Sequence, residues 1–161
     1  MKGLGKRGVL VLWAALGAAA MAGCGAEEDS TGMFVGEWLF TSGTENTQCP
    51  TLSINDTDQL SGVKLRIGKG VDSPLVYSET QRSCVWKMTP NGSVATISSG
   101  QSCGPFTEEG AMVTAMYTAG TFTVTGTTAT YSGTRTAMVN IQNMVVNCTS
   151  TGSGGLMKVA Q

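Results

Sequence analysis

Histidine is missing altogether, which removes the usual general base at neutral pH and the commonest zinc ligand. Charged residues make up only 13% of the chain. Beyond the first few residues Lys and Arg form no cluster, so the surface lacks the basic stripe that nucleic-acid phosphates require. After Gly25 no stretch carries apolar residues at helical spacing, which excludes bundles and α/β folds. Aromatics are also scarce, at 6%, so any core rests on a few large rings supplemented by other means.

What is present begins with an address. Lys2, Lys6 and Arg7 form a basic head, residues 9–22 are an uncharged run of apolar and small side chains, and small residues lead to Cys24. This is the layout of a secretory signal, and the run is short of the roughly 20 residues a permanent spanning helix needs. Met21-Ala22-Gly23-Cys24 resembles a bacterial lipobox. That resemblance implies lipidation (palmitate among the acyl chains) at Cys24, which would become the first mature residue. Gly25 rather than Asp follows, and in Gram-negative lipoproteins this implies passage to the outer membrane. Acyl chains bury methylenes at about 0.8 kcal/mol apiece, and several together hold a protein at a bilayer. The expected organisation is a lipoprotein signal peptide over residues 1–23, a flexible tether over 24–33 and a β domain over 34–161. The tether reading rests on Glu27, Glu28, Asp29, Ser30 and Thr31, with no large apolar side chain between residues 25 and 32.

Losing the basic head leaves acids in excess, so the mature surface is mildly acidic. With Cys24 assigned to lipid, Cys49, Cys84, Cys103 and Cys148 form an even set in an oxidising compartment, which predicts two disulfides. Four cysteines allow three pairings, and sequence does not choose among them. Their wide spacing does not match zinc ligation.

Along the domain, Phe34, Trp38 and Phe40 alternate onto one face with Gly36 between them, predicting a first strand that bends at Ser42-Gly43. Residues 55–58 read as a polar turn. Val63, Leu65 and Ile67 alternate with Lys64 and Arg66, and residues 75–79 offer another short strand. Residues 84–99 predict a hairpin around Asn91-Gly92. A two-residue loop there sets Trp86 opposite Ile97, whereas Pro90 favours a longer loop and a shifted register. The clearest hairpin spans residues 121–132. Turning at Gly126-Thr127, it pairs Val124 with Ala129 and Phe122 with Tyr131 on one face and Thr or Ser pairs on the other. In that phase Gly133, Arg135 and Ala137 point the same way as Tyr131. Residues 144–151 and 156–159 complete the set. The fold class is all-β, an antiparallel up-and-down barrel or flattened sandwich of about eight to ten strands.

Two resemblances enter here. The lipobox, Gly36-Glu37-Trp38, the Gly-Gln-Ser-Cys turn at residues 100–103 and the closing Cys148-Thr-Ser-Thr-Gly resemble a group of Thr/Ser/Gly-rich lipoproteins of myxobacterial type, which implies no particular activity. Gly36-x-Trp38 is also similar to the first-strand signature of lipocalins. That likeness implies an eight-stranded barrel around an apolar ligand, with a late-strand arginine, here Arg135, stacked over Trp38. Closure of such a barrel makes the first and last strands neighbours. The pairing then expected is Cys49 with Cys148 at the seam and Cys84 with Cys103 between a hairpin and its following loop.

Catalytic groupings are weak. Ser61-x-x-Lys64 has nucleophile-pair spacing only on a helix, and on a strand the two side chains diverge. Asp56 and Asp58 read as a solvated turn and not a calcium loop. Met112, Met116, Met138 and Met144 read as gap-filling core. The expectation is therefore a non-enzymatic, cofactor-free and metal-free outer-membrane lipoprotein acting as a structural or interaction module. The alternative is a lipocalin-like carrier whose lumen is bordered by Trp38, Trp86, Phe122 and Tyr131. Expected partners are the membrane, through the lipid, and either an apolar small molecule or another envelope protein.

Overall fold

The computed structural model describes residues 30–79, 84–108, 110–141 and 144–159. The signal peptide, Cys24 and most of the tether lie outside the described residues. Among the described residues, the ordered chain starts with one helical turn, α1 (Thr31–Phe34). Ten strands follow: β1 (Gly36–Cys49), β2 (Ile54–Gln59), β3 (Lys64–Gly68), β4 (Leu75–Glu79), β5 (Cys84–Asn91), β6 (Val94–Ile97), β7 (Ser102–Glu108), β8 (Ala111–Thr125), β9 (Thr128–Ile141) and β10 (Met144–Lys158).

Every pairing is antiparallel, and eight strands close on themselves: β1–β3–β4–β5–β6–β8–β9–β10 and back to β1. The four long strands rise beyond the short ones. Above the short strands β2 pairs with the upper part of β1, from Thr44↔Gln59 to Cys49↔Ile54, and β7 pairs with the first part of β8. The molecule is thus a barrel with one tall wall, whose free edges are β2 and β7.

Two bulges set which side chains enter the lumen. Below the first, between Phe40 and Ser42, Trp38 and Phe40 point inward and β1 pairs with β3. The extra residue flips the phase, so Glu45, Thr47 and Cys49 line the interior above it. The second bulge lies in β8 between Tyr117 and Ala119. There is none at Gly133, so Arg135 keeps the inward phase of Tyr131.

The lower half of the barrel is solid. Trp38, Trp86 and Tyr117 are fully buried, and Phe34, Phe122, Leu75, Ile67, Met88 and Ile97 fill the space between them. The Trp38 and Phe122 rings meet edge to face at 5.1 Å, and the Trp38 indole N–H donates to the Phe34 carbonyl at 2.8 Å. That bond ties α1 across the base. Each such side chain contributes about 1.5–3 kcal/mol on burial, which is how so few aromatics suffice.

The 121–132 hairpin has the expected register throughout, from Thr121↔Ser132 to Thr125↔Thr128. Four expectations need correction. Residues 55–58 are not a turn but the middle of β2; its side chains are all exposed, so no apolar alternation marked it, and backbone pairing to β1 holds it. Phe34 belongs to α1 and not to the first strand, although it enters the same core. The hairpin after Cys84 turns at Gly92-Ser93, with Asn91↔Val94 and Met88↔Ile97. Gly92 alone of those two has positive φ, as a type II′ turn requires. Met112, Met116, Met138 and Met144 are 40–52% exposed and do not fill the core.

Both disulfides follow the pairing expected of a closed barrel. Cys49–Cys148 staples the upper β1–β10 seam across 99 residues of chain, and Cys84–Cys103 joins β5 to β7 across 19.

Candidate functional site

The inward residues of the long strands change character at mid-height. Below lie rings and aliphatics; at that level lie Glu45, Arg135 and Ser150, joined by Glu79 from the end of β4, and the upper end is apolar again around Val146 and the Cys49–Cys148 bridge. Arg135 Nη1 donates to Glu79 Oε1 at 2.6 Å, and its Nη2 donates to Glu45 Oε1. Glu79 Oε1 also accepts from the Tyr77 hydroxyl and the Trp86 indole, each at 3.2 Å, and Glu45 Oε1 accepts from Ser150 Oγ. Beside it, the Tyr117 and Tyr131 hydroxyls share a 2.8 Å hydrogen bond, and the Arg135 guanidinium lies 5.7 Å from the Tyr117 ring centre. Burial works against the Arg135 charge, but Glu79 and Glu45 outweigh it and hold its pKa above the ordinary arginine value.

This network is a floor. Above it, a cavity of about 290 Å³ is lined by Phe40, Tyr77 and Tyr131, by Leu60 and Leu65, by the carboxylates Glu45, Asp58 and Glu79, and by Arg135, Lys64 and Gly152. A second hollow of about 190 Å³ continues up the tall wall. Its apolar part includes Val113, Ala137, Val139 and the Cys49–Cys148 bridge, and Glu45, Asp58 and Arg135 border both spaces.

Three inward glycines, Gly120, Gly133 and Gly152, stand opposite one another across β8, β9 and β10. They have different tasks. A methyl group on Gly133 would sit 2.3 Å from the Tyr131 hydroxyl, so this glycine is the bed for that ring. A methyl group on Gly152 would lie at ordinary contact distance, 3.5 Å from the Tyr131 ring and 3.8 Å from Glu45 Cβ and the Thr44 carbonyl, so this cavity-lining position takes a side chain without a clash at its first carbon.

Of the residues expected to line a lumen, Tyr131 and Arg135 border the cavity; Trp38, Trp86 and Phe122 do not line it and are packed beneath it. The expected stacking of Arg135 over Trp38 is also not found. Trp38 sits low in the barrel, opposite Lys158 and Leu65, and the cation over its ring is Lys158 at 5.4 Å. Arg135 is higher, opposite Tyr117 and Ser150. Glu45, Tyr77, Glu79 and Asp58 were missed. Alternation through Leu75, Tyr77 and Glu79 could have found two of them; the β1 bulge hid Glu45. Cys24 lies outside the described residues. Ser61 and Lys64 do not form a pair, since Lys64 Nζ bonds Glu37 at 2.7 Å.

The three tyrosines of the chain all belong to this region, and burial is the leading cause that pushes each phenol above its usual pKa. A raised folded-state pKa contributes stability that is complete below the unfolded value of about 10 and is lost as pH climbs beyond it. Phenolate absorbance should therefore stay flat past pH 10 in the native protein and then rise in one step together with loss of circular dichroism. Gradual ionisation ahead of unfolding would show that the rings are accessible.

Fold and site together define an eight-stranded antiparallel β-barrel with a filled base and a polar-floored cavity. No protein-family model and no curated protein matches the chain. Among solved structures, similarity is found to a protein of the DUF3598 family from Nostoc punctiforme, at 14% identity and TM-score 0.30, over 80% of this chain and 49% of that one. This chain thus spans about half the length of that protein. Similarity is also found to an S-type phycobiliprotein lyase from Guillardia theta, at 10% identity and TM-score 0.27, over 83% and 93% of the two chains. No functional residue is carried over from either.

Proposed function

We propose that the protein is a small-molecule-binding β-barrel of the cell envelope, held at the outer membrane through Cys24, and that its ligand sits on the Arg135 floor and is not sunk to the base. The cavity above the filled half of the barrel carries this reading. At about 290 Å³ it stands at the lower end of the range for ligand sites, roughly 300–1,000 Å³, and it combines an apolar wall with a few convergent polar groups.

Gly152 provides the test. Gly152→Leu adds bulk to the cavity lining from a first carbon in ordinary contact with Tyr131, Glu45 and the Thr44 carbonyl, whereas filling at Gly133 would displace Tyr131. The neutral lipophilic dye N-phenyl-1-naphthylamine should brighten on adding the wild-type protein. Gly152→Leu should abolish the signal while cooperative thermal unfolding of the barrel is retained. Equal dye binding by both proteins would place the dye elsewhere and overturn the reading.

A second reading, an interaction module, is favoured by the outer surface. Outward positions on β8–β10 are largely Thr and Ser, but on the tall wall Met112, Met116, Met138 and Val145 are 40–56% exposed. Exposed methionines suit adaptable protein contacts. Silence in the dye titration would favour this second reading.

A further inference from the structure

We infer that the free edge of β2 is a docking site for an extended peptide segment with Lys or Arg at alternate positions, which adds to the sheet as one more strand. The inference is independent of the cavity reading. β2 pairs with β1 without a break from Thr44↔Gln59 to Cys49↔Ile54, and among the described residues no strand pairs with its other side. All six of its side chains are exposed.

A bare edge invites another strand, and proteins usually blunt it with proline, a bulge or lysine. The other free edge, β7, has Pro105 and a register break between Cys103 and Phe106. β2 has no proline, glycine, lysine or arginine and no break. Its main chain is also aimed for pairing. Leu60 N–H donates to the Gly43 carbonyl at 3.0 Å. By the alternation of an antiparallel ladder, Asp56 and Asp58 then bond to β1, whereas Asn55, Thr57 and Gln59 turn their N–H and C=O groups to the free side. Thr57 N–H accordingly donates to Asp56 Oδ1, at 2.8 Å, rather than to β1.

Charge selects the occupant. With Asn55, Thr57 and Gln59 bonding an incoming strand, Asp56 and Asp58 fall at the positions between, where facing side chains come closest. A second copy of β2 is unsuitable. Two-fold antiparallel pairing centred on Asp56 sets that carboxylate opposite itself, and centred on Thr57 it sets Asp56 opposite Asp58. Every other two-fold register overlaps by only about half of the strand or less, and like charges directly opposite are destabilising. A strand with Lys or Arg two residues apart answers both carboxylates. Asp58 has no hydrogen bond or ion pair to give up among the described residues. Asp56 exchanges its bond to Thr57 for the incoming cation, which frees Thr57 N–H for the incoming carbonyl.

Two short Thr/Val peptides, one with Lys at two alternate positions and one with Glu there, provide the test, read by fluorescence anisotropy with the full chain. The Lys peptide should bind the wild type about 10-fold or more tighter than the Glu peptide. Asp56→Asn combined with Asp58→Asn should erase that preference. Thr57→Pro keeps both carboxylates and is tolerated because this N–H faces away from β1, yet it should bind neither peptide. The substituted side chains are exposed, so both variants should still unfold cooperatively, and the comparison on the wild type decides without them. No binding of the Lys peptide, or equal affinity for both peptides, would overturn the inference. So would Lys-peptide binding unchanged by Thr57→Pro, which would mean attraction by charge without strand pairing. Wild-type dimers in sedimentation that Thr57→Pro dissolves would put a second copy on β2 and overturn it as well.

Discussion

Arg135→Met should destabilise the barrel by about 3–5 kcal/mol, the usual consequence of removing one member of a buried ion cluster. The Arg135 side chain is only 12% exposed, and its partners Glu45 and Glu79 are 19% and 13% exposed. Methionine would fill much of the volume, so the loss is electrostatic: Glu45 and Glu79 lose the cation they share. The drop in Tm should be about 10 °C or more for a domain of this size. The control is the neutral triple variant Arg135→Met, Glu45→Gln and Glu79→Gln, which removes the repulsion along with the attraction and should recover most of the loss. A triple variant as unstable as the single one would mean that packing, not charge, makes Arg135 necessary.

The second large effect concerns the seam. Removing Cys49–Cys148 by paired serine substitutions should cost about 4–5 kcal/mol, because the bridge closes a loop of 99 residues in the unfolded chain. Removing Cys84–Cys103, with a separation of 19, should cost about 3 kcal/mol. The order is the test. Urea unfolding of the two double variants should rank the seam bridge first; a reversed order would show that local strain or residual structure outweighs loop length. The seam bridge also joins β1 and β10 at the upper end of the tall wall, so its loss should loosen the second hollow before the base.

The parts of this fold that could be read in advance are those whose side chains sort onto two faces. Residues 121–132 place rings and aliphatics on one side and hydroxyls on the other, and no competing register satisfies both. β2 carried no such signal: Ile54, Asn55, Asp56, Thr57, Asp58 and Gln59 are all exposed. β7 interrupts its alternation with Gly104-Pro105. Bulges were invisible for a related reason, since one extra residue leaves composition unchanged but reverses every side chain beyond it. That reversal turned Glu45 inward and made it a partner of Arg135. Trp38, Trp86 and Phe122 were correctly placed inside, but inside did not mean lining a void. Where the short strands complete the ring, these large rings pack with Phe34, Ile67, Leu75, Met88 and Ile97 and leave no space.

The small turn α1 has a directional consequence. With Phe34 clasped against Phe122 and bonded by Trp38, the described chain begins at the foot of the molecule, while β1, 14 residues long and on the order of 45 Å in contour at about 3.3 Å per residue, carries Cys49 to the far rim. A leash on the amino-terminal side would hold the vessel upright with its opening turned from the anchor. Cargo would then come from the aqueous side, and a molecule dissolved in the anchoring bilayer would have to travel the full height of the wall to reach Arg135.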